Sequence, residues 1–207
     1  MSARQDIDRV MQQTRRYWYE DGFSELGMGG LLLALGLLFG LESITPPGSP
    51  LWFVWSFAWP ILLIGGSVLV ARLVQQLKAR YTYPRAGFVS YERQGRARLV
   101  QLIAVFLVAA LIAAGIITLS RGWQSLTLWF GLAFTGAFTY VGFRVGLLRY
   151  LLLALWSLLA GLALMPYSLT TEQSGALFFG AIGLAMVLSG LSAWLRFRAA
   201  PPEPGGE

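Results

Sequence analysis

The sequence predicts an all-α membrane protein: six transmembrane helices in three antiparallel hairpins, preceded by a short N-terminal amphipathic helix in the membrane interface. Three observations lead there. Hydrophobic residues make up 56% of the 207 positions and charged residues only 13%, against ~25% charged in a typical soluble domain. Six long apolar runs lie near residues 26–43, 51–72, 98–119, 123–141, 147–166 and 174–195. Each reaches or nearly reaches the ~20 residues that cross a ~30 Å hydrocarbon core. Finally, lysine and arginine fall almost entirely on alternate connections.

The arm, residues 1–25, sets Ile7, Val10, Met11, Thr14 and Trp18 at helical spacing opposite Arg4, Asp8 and Arg15. That pattern suits a helix lying at headgroup depth; a docking helix for a partner protein is the other reading of the same stripe. The transmembrane domain follows, residues 26–196. Its first run is flanked by Glu25 and Glu42, and Gly29, Gly36 and Gly40 share one face. No small-residue cleavage motif follows it before Pro46 and Pro47, so it reads as an uncleaved signal anchor. Pro46, Pro47 and Pro50 crowd a connection so short that runs one and two must be antiparallel neighbours. The second run carries Pro60, where a kink is expected, and Trp52, Trp55 and Trp59 suit an aromatic belt.

The polar loop, residues 73–97, interleaves Tyr81, Tyr83, Phe88 and Tyr91 with Lys78, Arg80, Arg85, Arg93 and Arg96, and Arg98 follows it. Pro84 and Gly87 argue for a defined turn. Ser120, Arg121 and Gly122 join runs three and four tightly, and Arg144 and Arg149 stand between runs four and five. The sixth run carries a small-residue stripe, Ala176, Gly180, Gly183, Val187 and Gly190, which permits close helix packing. Residues 197–207 form a short flexible tail.

Fifteen of the sixteen basic residues lie on one set of connections and the termini; only Arg121 lies on the other. The positive-inside bias therefore places both termini in the cytoplasm of a multi-pass protein of a plasma (inner) membrane, and the compact arginine-rich design fits a prokaryote. Gly-Phe pairs at 22, 87 and 142, each preceded by tyrosine, predict a threefold internal repeat with one hairpin per unit.

The chain has no cysteine and no histidine, which removes thiol chemistry, imidazole ligation and the commonest general base. No catalytic residue, cofactor site or metal site is expected, and the reading is non-enzymatic. Despite the net charge of +6, the arginines sit beside run ends and not on one soluble face, so no nucleic acid is expected. A cytoplasmic cap is expected from Glu20, Asp21, Glu25, Tyr83, Arg85 and Phe88, with Arg85 pairing with one of the three carboxylates. Arg15, Arg16, Lys78, Arg80, Arg93, Arg96 and Arg98 are the candidates for anionic-lipid contact, at about 1 kcal/mol each near an anionic leaflet. The apolar runs are nearly empty of ionisable groups, which weakens ion-coupled transport. The expected function is a small scaffold, assembly or regulatory subunit working through its basic-aromatic cytoplasmic face. The alternative is a small channel or carrier for a neutral or apolar solute. Expected partners are the lipid bilayer, its anionic headgroups, and a protein partner or second copy of the chain.

Overall fold

In the computed structural model, described for residues 19, 21–82, 126–167 and 169–199, all regular structure is helical. Helix α1 spans Phe23–Ile44, α2 Pro50–Leu77, α3 Leu126–Val145, α4 Leu148–Leu164 and α5 Thr171–Ala199. A π-helical turn, Lys78–Thr82, continues α2. Three segments, Phe23–Ile44, Pro50–Tyr81 and Thr171–Ala199, are long and apolar enough to cross a membrane, the signature of a membrane protein.

Six such helices are not found among the described residues, and the reasons are local. The 17 residues of α4 reach only ~26 Å. Helix α3, at 20 residues, is long enough but is not among the three. The run 98–119 and the arm, residues 1–18, lie outside the described residues, so the interfacial helix does too. The repeat also loses its signature. Gly22-Phe23 stands where α1 begins, with Gly22 in the left-handed region at φ 72°, whereas Gly142-Phe143 lies inside α3.

Local chemistry explains where the helices begin. Ser49 caps α2, its hydroxyl accepting from the Trp52 N–H at 3.2 Å, and Pro50 takes the first-turn position that needs no N–H donor. The helix continues through Pro60. Thr170 and Gln173 exchange hydrogen bonds at the start of α5, each side chain taking the other's backbone N–H (3.3 and 3.2 Å). Gly146, at φ 72°, turns α3 into α4 within two residues.

Short connections make α1–α2, α3–α4 and α4–α5 antiparallel pairs, and α1 packs most extensively on α5. The bundle thus has a near end, holding Gly22, Lys78, Arg149 and Arg196, and a far end, holding Ile44, Pro50, Leu164 and Thr171. The two glycine stripes face each other across α1 and α5. A Cβ added at Gly29 would stand 2.8 Å from the Val187 nitrogen, at Gly36 2.8 Å from the Gly180 nitrogen, and at Gly183 2.6 Å from the Leu33 nitrogen. Backbone rests on backbone, which dispersion rewards when lipid supplies no hydrophobic drive. Beside this seam Phe39 stacks between Trp59 and Phe179, and Phe134, Phe138 and Phe178 complete the aromatic core against α3.

Candidate functional site: a buried ionic cluster at the near end

Charge inside an apolar bundle is costly unless it is paired, so the ionisable groups that the near end encloses are the most informative part of the fold. Asp21 precedes α1. Its Oδ1 accepts the Phe23 N–H at 3.1 Å, which fixes the side chain at the helix N-terminus, where a negative charge is favoured. Its Oδ2 lies 3.3 Å from Lys78 Nζ, and both side chains are buried, at 0% and 1% exposure. Lys78 follows α2 with α-helical backbone angles one turn after the buried Val74, so it falls on the same inward face.

One turn into α1, Glu25 is 1% exposed. Its Oε1 lies 2.9 Å from Arg149 Nε, and its Oε2 accepts the Ser189 hydroxyl at 2.7 Å. The Nε–H of Arg149 is not aimed at Oε1, so that contact is a charge pair rather than a directed hydrogen bond. Arg149 also donates to the Tyr19 carbonyl, and its guanidinium lies 5.6 Å from the Tyr150 ring centroid. Tyr150, the next residue, meets Tyr19 edge-on at 5.9 Å. Among the described residues, two anions and two cations therefore balance, and α1, α2 with its π turn, α4 and α5, or the residues just before them, each contribute a member.

Of the expected cap, Asp21 and Glu25 are buried at this end. Their ion-pair partners are Lys78 and Arg149; the expected partner Arg85 lies outside the described residues, as do Glu20, Tyr83 and Phe88. Of the lipid-contact candidates, Lys78 is placed inside the cluster, where no headgroup surface remains to it. Arg80 is exposed, with its guanidinium over the Tyr81 ring. Arg15, Arg16, Arg93, Arg96 and Arg98 lie outside the described residues. Sequence reasoning missed Arg149, Tyr150 and Ser189 as members of a site.

At the far end Glu42 is buried and accepts the Ser56 hydroxyl, which links α1 to α2. No group of three metal-ligating side chains occurs among the described residues. Open depressions accompany the bundle among the described residues. One, about 270 Å³, lies at the far end between Thr127, Tyr167 and Glu172; another, about 860 Å³, is a groove between α4 and α5 in the near half. No protein family, curated protein or solved structure matches this chain.

Proposed function

We propose that the chain is a non-enzymatic, multi-pass integral membrane protein of six spans with its near end in the cytoplasm, serving as a scaffold, assembly or regulatory subunit. The observation that carries this reading is the buried ionic cluster. It braces four helices at one end and, among the described residues, balances its own charge, so the exposed Arg80, Arg144 and Arg196 stand at that end as surface for a partner. Chemistry has little to work with there, because both carboxylates are already committed to cations.

The span count is supported by chain direction. Helix α2 ends at the near end beside Asp21, while α3 begins at the far end, where Thr127 lies against Gly161. The sequence between them contains the apolar run 98–119, which we assign to a further span. Helix α4, at 17 residues, lies at the lower limit for a span. Against a channel or carrier stand the backbone-to-backbone contacts of α1 with α5 and of α3 with α4, where Gly131 and Gly161 leave no room for a polar route.

The test is affinity purification of the full chain in gentle detergent, read by intact mass spectrometry. A stoichiometric protein partner is expected, released by the pair Arg80→Glu and Arg144→Glu. Recovery of the chain without a partner, together with flux of a neutral solute into liposomes reconstituted with it, would overturn the subunit reading in favour of a channel.

A further inference from the structure

The groove between α4 and α5 is ordered along its length. At the near end it is lined by Arg149, Ser192 and Arg196; toward the middle of the bundle it is lined by Leu152, Trp156 and Leu188. Arg149 at one end and Trp156 at the other are seven residues apart on α4, ~10 Å of helix. Trp156 is held across the apolar part by its indole N–H, which donates to the Ala181 carbonyl at 3.2 Å. Leu152 and Leu188 are exposed, so the groove opens sideways and not into the bundle. Arg196 has no ion pair among the described residues, and of the cluster's four charged side chains described only Arg149 has appreciable exposure, 21%.

We infer that this groove is a binding site for one anionic phospholipid of the inner leaflet. The headgroup phosphate lies at Arg196, which supplies the uncompensated charge, beside the partly exposed guanidinium of Arg149, which stays paired with Glu25, and an acyl chain runs along Leu152, Trp156 and Leu188. The argument is charge complementarity combined with polarity order. A phospholipid presents an anion at the interface and hydrocarbon below it, in the same sequence as the groove wall. Basic recesses between spanning helices on the cytoplasmic side suit such headgroups. A volume of about 860 Å³ is within the range of ligand sites. The inference rests on the membrane reading with the near end cytoplasmic, and on nothing in the scaffold assignment.

The experiment is native mass spectrometry of the full chain, delipidated and then offered phosphatidylglycerol or phosphatidylcholine. One phosphatidylglycerol is expected to be retained in preference to phosphatidylcholine. Arg196→Gln lowers that retention about fivefold, the equivalent of ~1 kcal/mol for one basic contact. Arg198→Gln leaves it unchanged, because Arg198 stacks on Trp194 outside the groove. Leu188→Trp fills the groove with every charge intact and abolishes retention; Leu188 is exposed, so this variant keeps the fold. Equal retention of the two lipids, equal loss in the Arg196 and Arg198 variants, or full retention in Leu188→Trp would each overturn the site. A dimer dissolved by Leu188→Trp would assign the groove to a second copy and overturn it as well. Extraction of the chain without detergent would sink the membrane reading itself, a result distinct from a detergent-requiring protein that holds no lipid.

Discussion

Removing the two partners of the Glu25–Arg149 pair one at a time should give unequal losses. Arg149→Leu leaves Glu25, 1% exposed, with the Ser189 hydroxyl as its firm remaining partner. An uncompensated buried charge costs about 3–5 kcal/mol. Glu25→Gln leaves a guanidinium that is 21% exposed beside an open groove, and the new amide still reaches Ser189. That loss should be about 1–2 kcal/mol, the usual cost of a disturbed buried polar contact. At about 2–4 °C per kcal/mol for a chain of this size, the melting temperature falls by roughly 6–20 °C in the first variant and roughly 2–8 °C in the second. The double variant, Glu25→Leu with Arg149→Leu, removes both charges and should recover to within about 5 °C of the parent, since apolar replacement of a whole pair is close to neutral. Thermal unfolding in a mild detergent, followed by tryptophan fluorescence, reads all three. The reasoning fails if Arg149→Leu is no worse than Glu25→Gln, or if the double variant loses the sum of the single losses.

Two further outcomes follow from the packing and the topology. Gly183→Ala should destabilise by about 1–3 kcal/mol, because its new methyl meets the Leu33 backbone at 2.6 Å, whereas Gly30→Ala meets nothing and should be neutral or gain up to ~1 kcal/mol of helix propensity; the same melting assay separates them. Because the chain has no cysteine, single cysteines report topology directly. Gly48→Cys and Gly122→Cys should react with a membrane-impermeant maleimide on intact cells, and Arg198→Cys only after permeabilisation; the opposite pattern would invert the proposed orientation.

Much of the helical layout was legible in the sequence because lipid imposes a simple length rule. The first, second and sixth apolar runs became α1, α2 and α5 with ends shifted by a few residues, and the prolines after Ile44 marked the first connection correctly. The ionic partners were not legible. Counting basic residues by side treats them as equivalent, yet Lys78 is buried against Asp21 and Arg149 is turned to the buried Glu25. Neither geometry leaves a trace in a charge count. Attraction over 57 or 124 residues of chain depends on which helix ends meet, and that is a property of the packed bundle. The misplaced repeat has a similar origin. Gly142-Phe143 resembles Gly22-Phe23 as a string, but the turn that starts α4 is made four residues later, at Gly146.

What the cluster contributes is choice of register more than stability. The small residues on α1 recur every seven positions at Gly22, Gly29 and Gly36, and those on α5 at Ala176, Gly183 and Gly190. In the fold Gly22 meets Gly190, Gly29 meets Gly183 and Gly36 meets Ala176. Sliding α5 by seven residues, ~10 Å, would still set Gly22 on Gly183 and Gly29 on Ala176, so the stripe alone does not define one alignment. Glu25 does, because only the observed alignment brings Ser189 and Arg149 to its carboxylate. Buried polar groups are best attested in this registry role. The consequence is measurable with a cysteine pair. A Cβ at Gly40 lies 3.9 Å from the Ala176 Cβ, the separation a disulfide requires. Gly40→Cys with Ala176→Cys should therefore cross-link almost fully under mild oxidation. In the Glu25→Leu, Arg149→Leu background the bundle keeps most of its stability, but the yield should fall as molecules take the slipped alignment, which carries position 40 beyond the start of α5. An unchanged yield there would mean that the aromatic core, not the charges, sets the register.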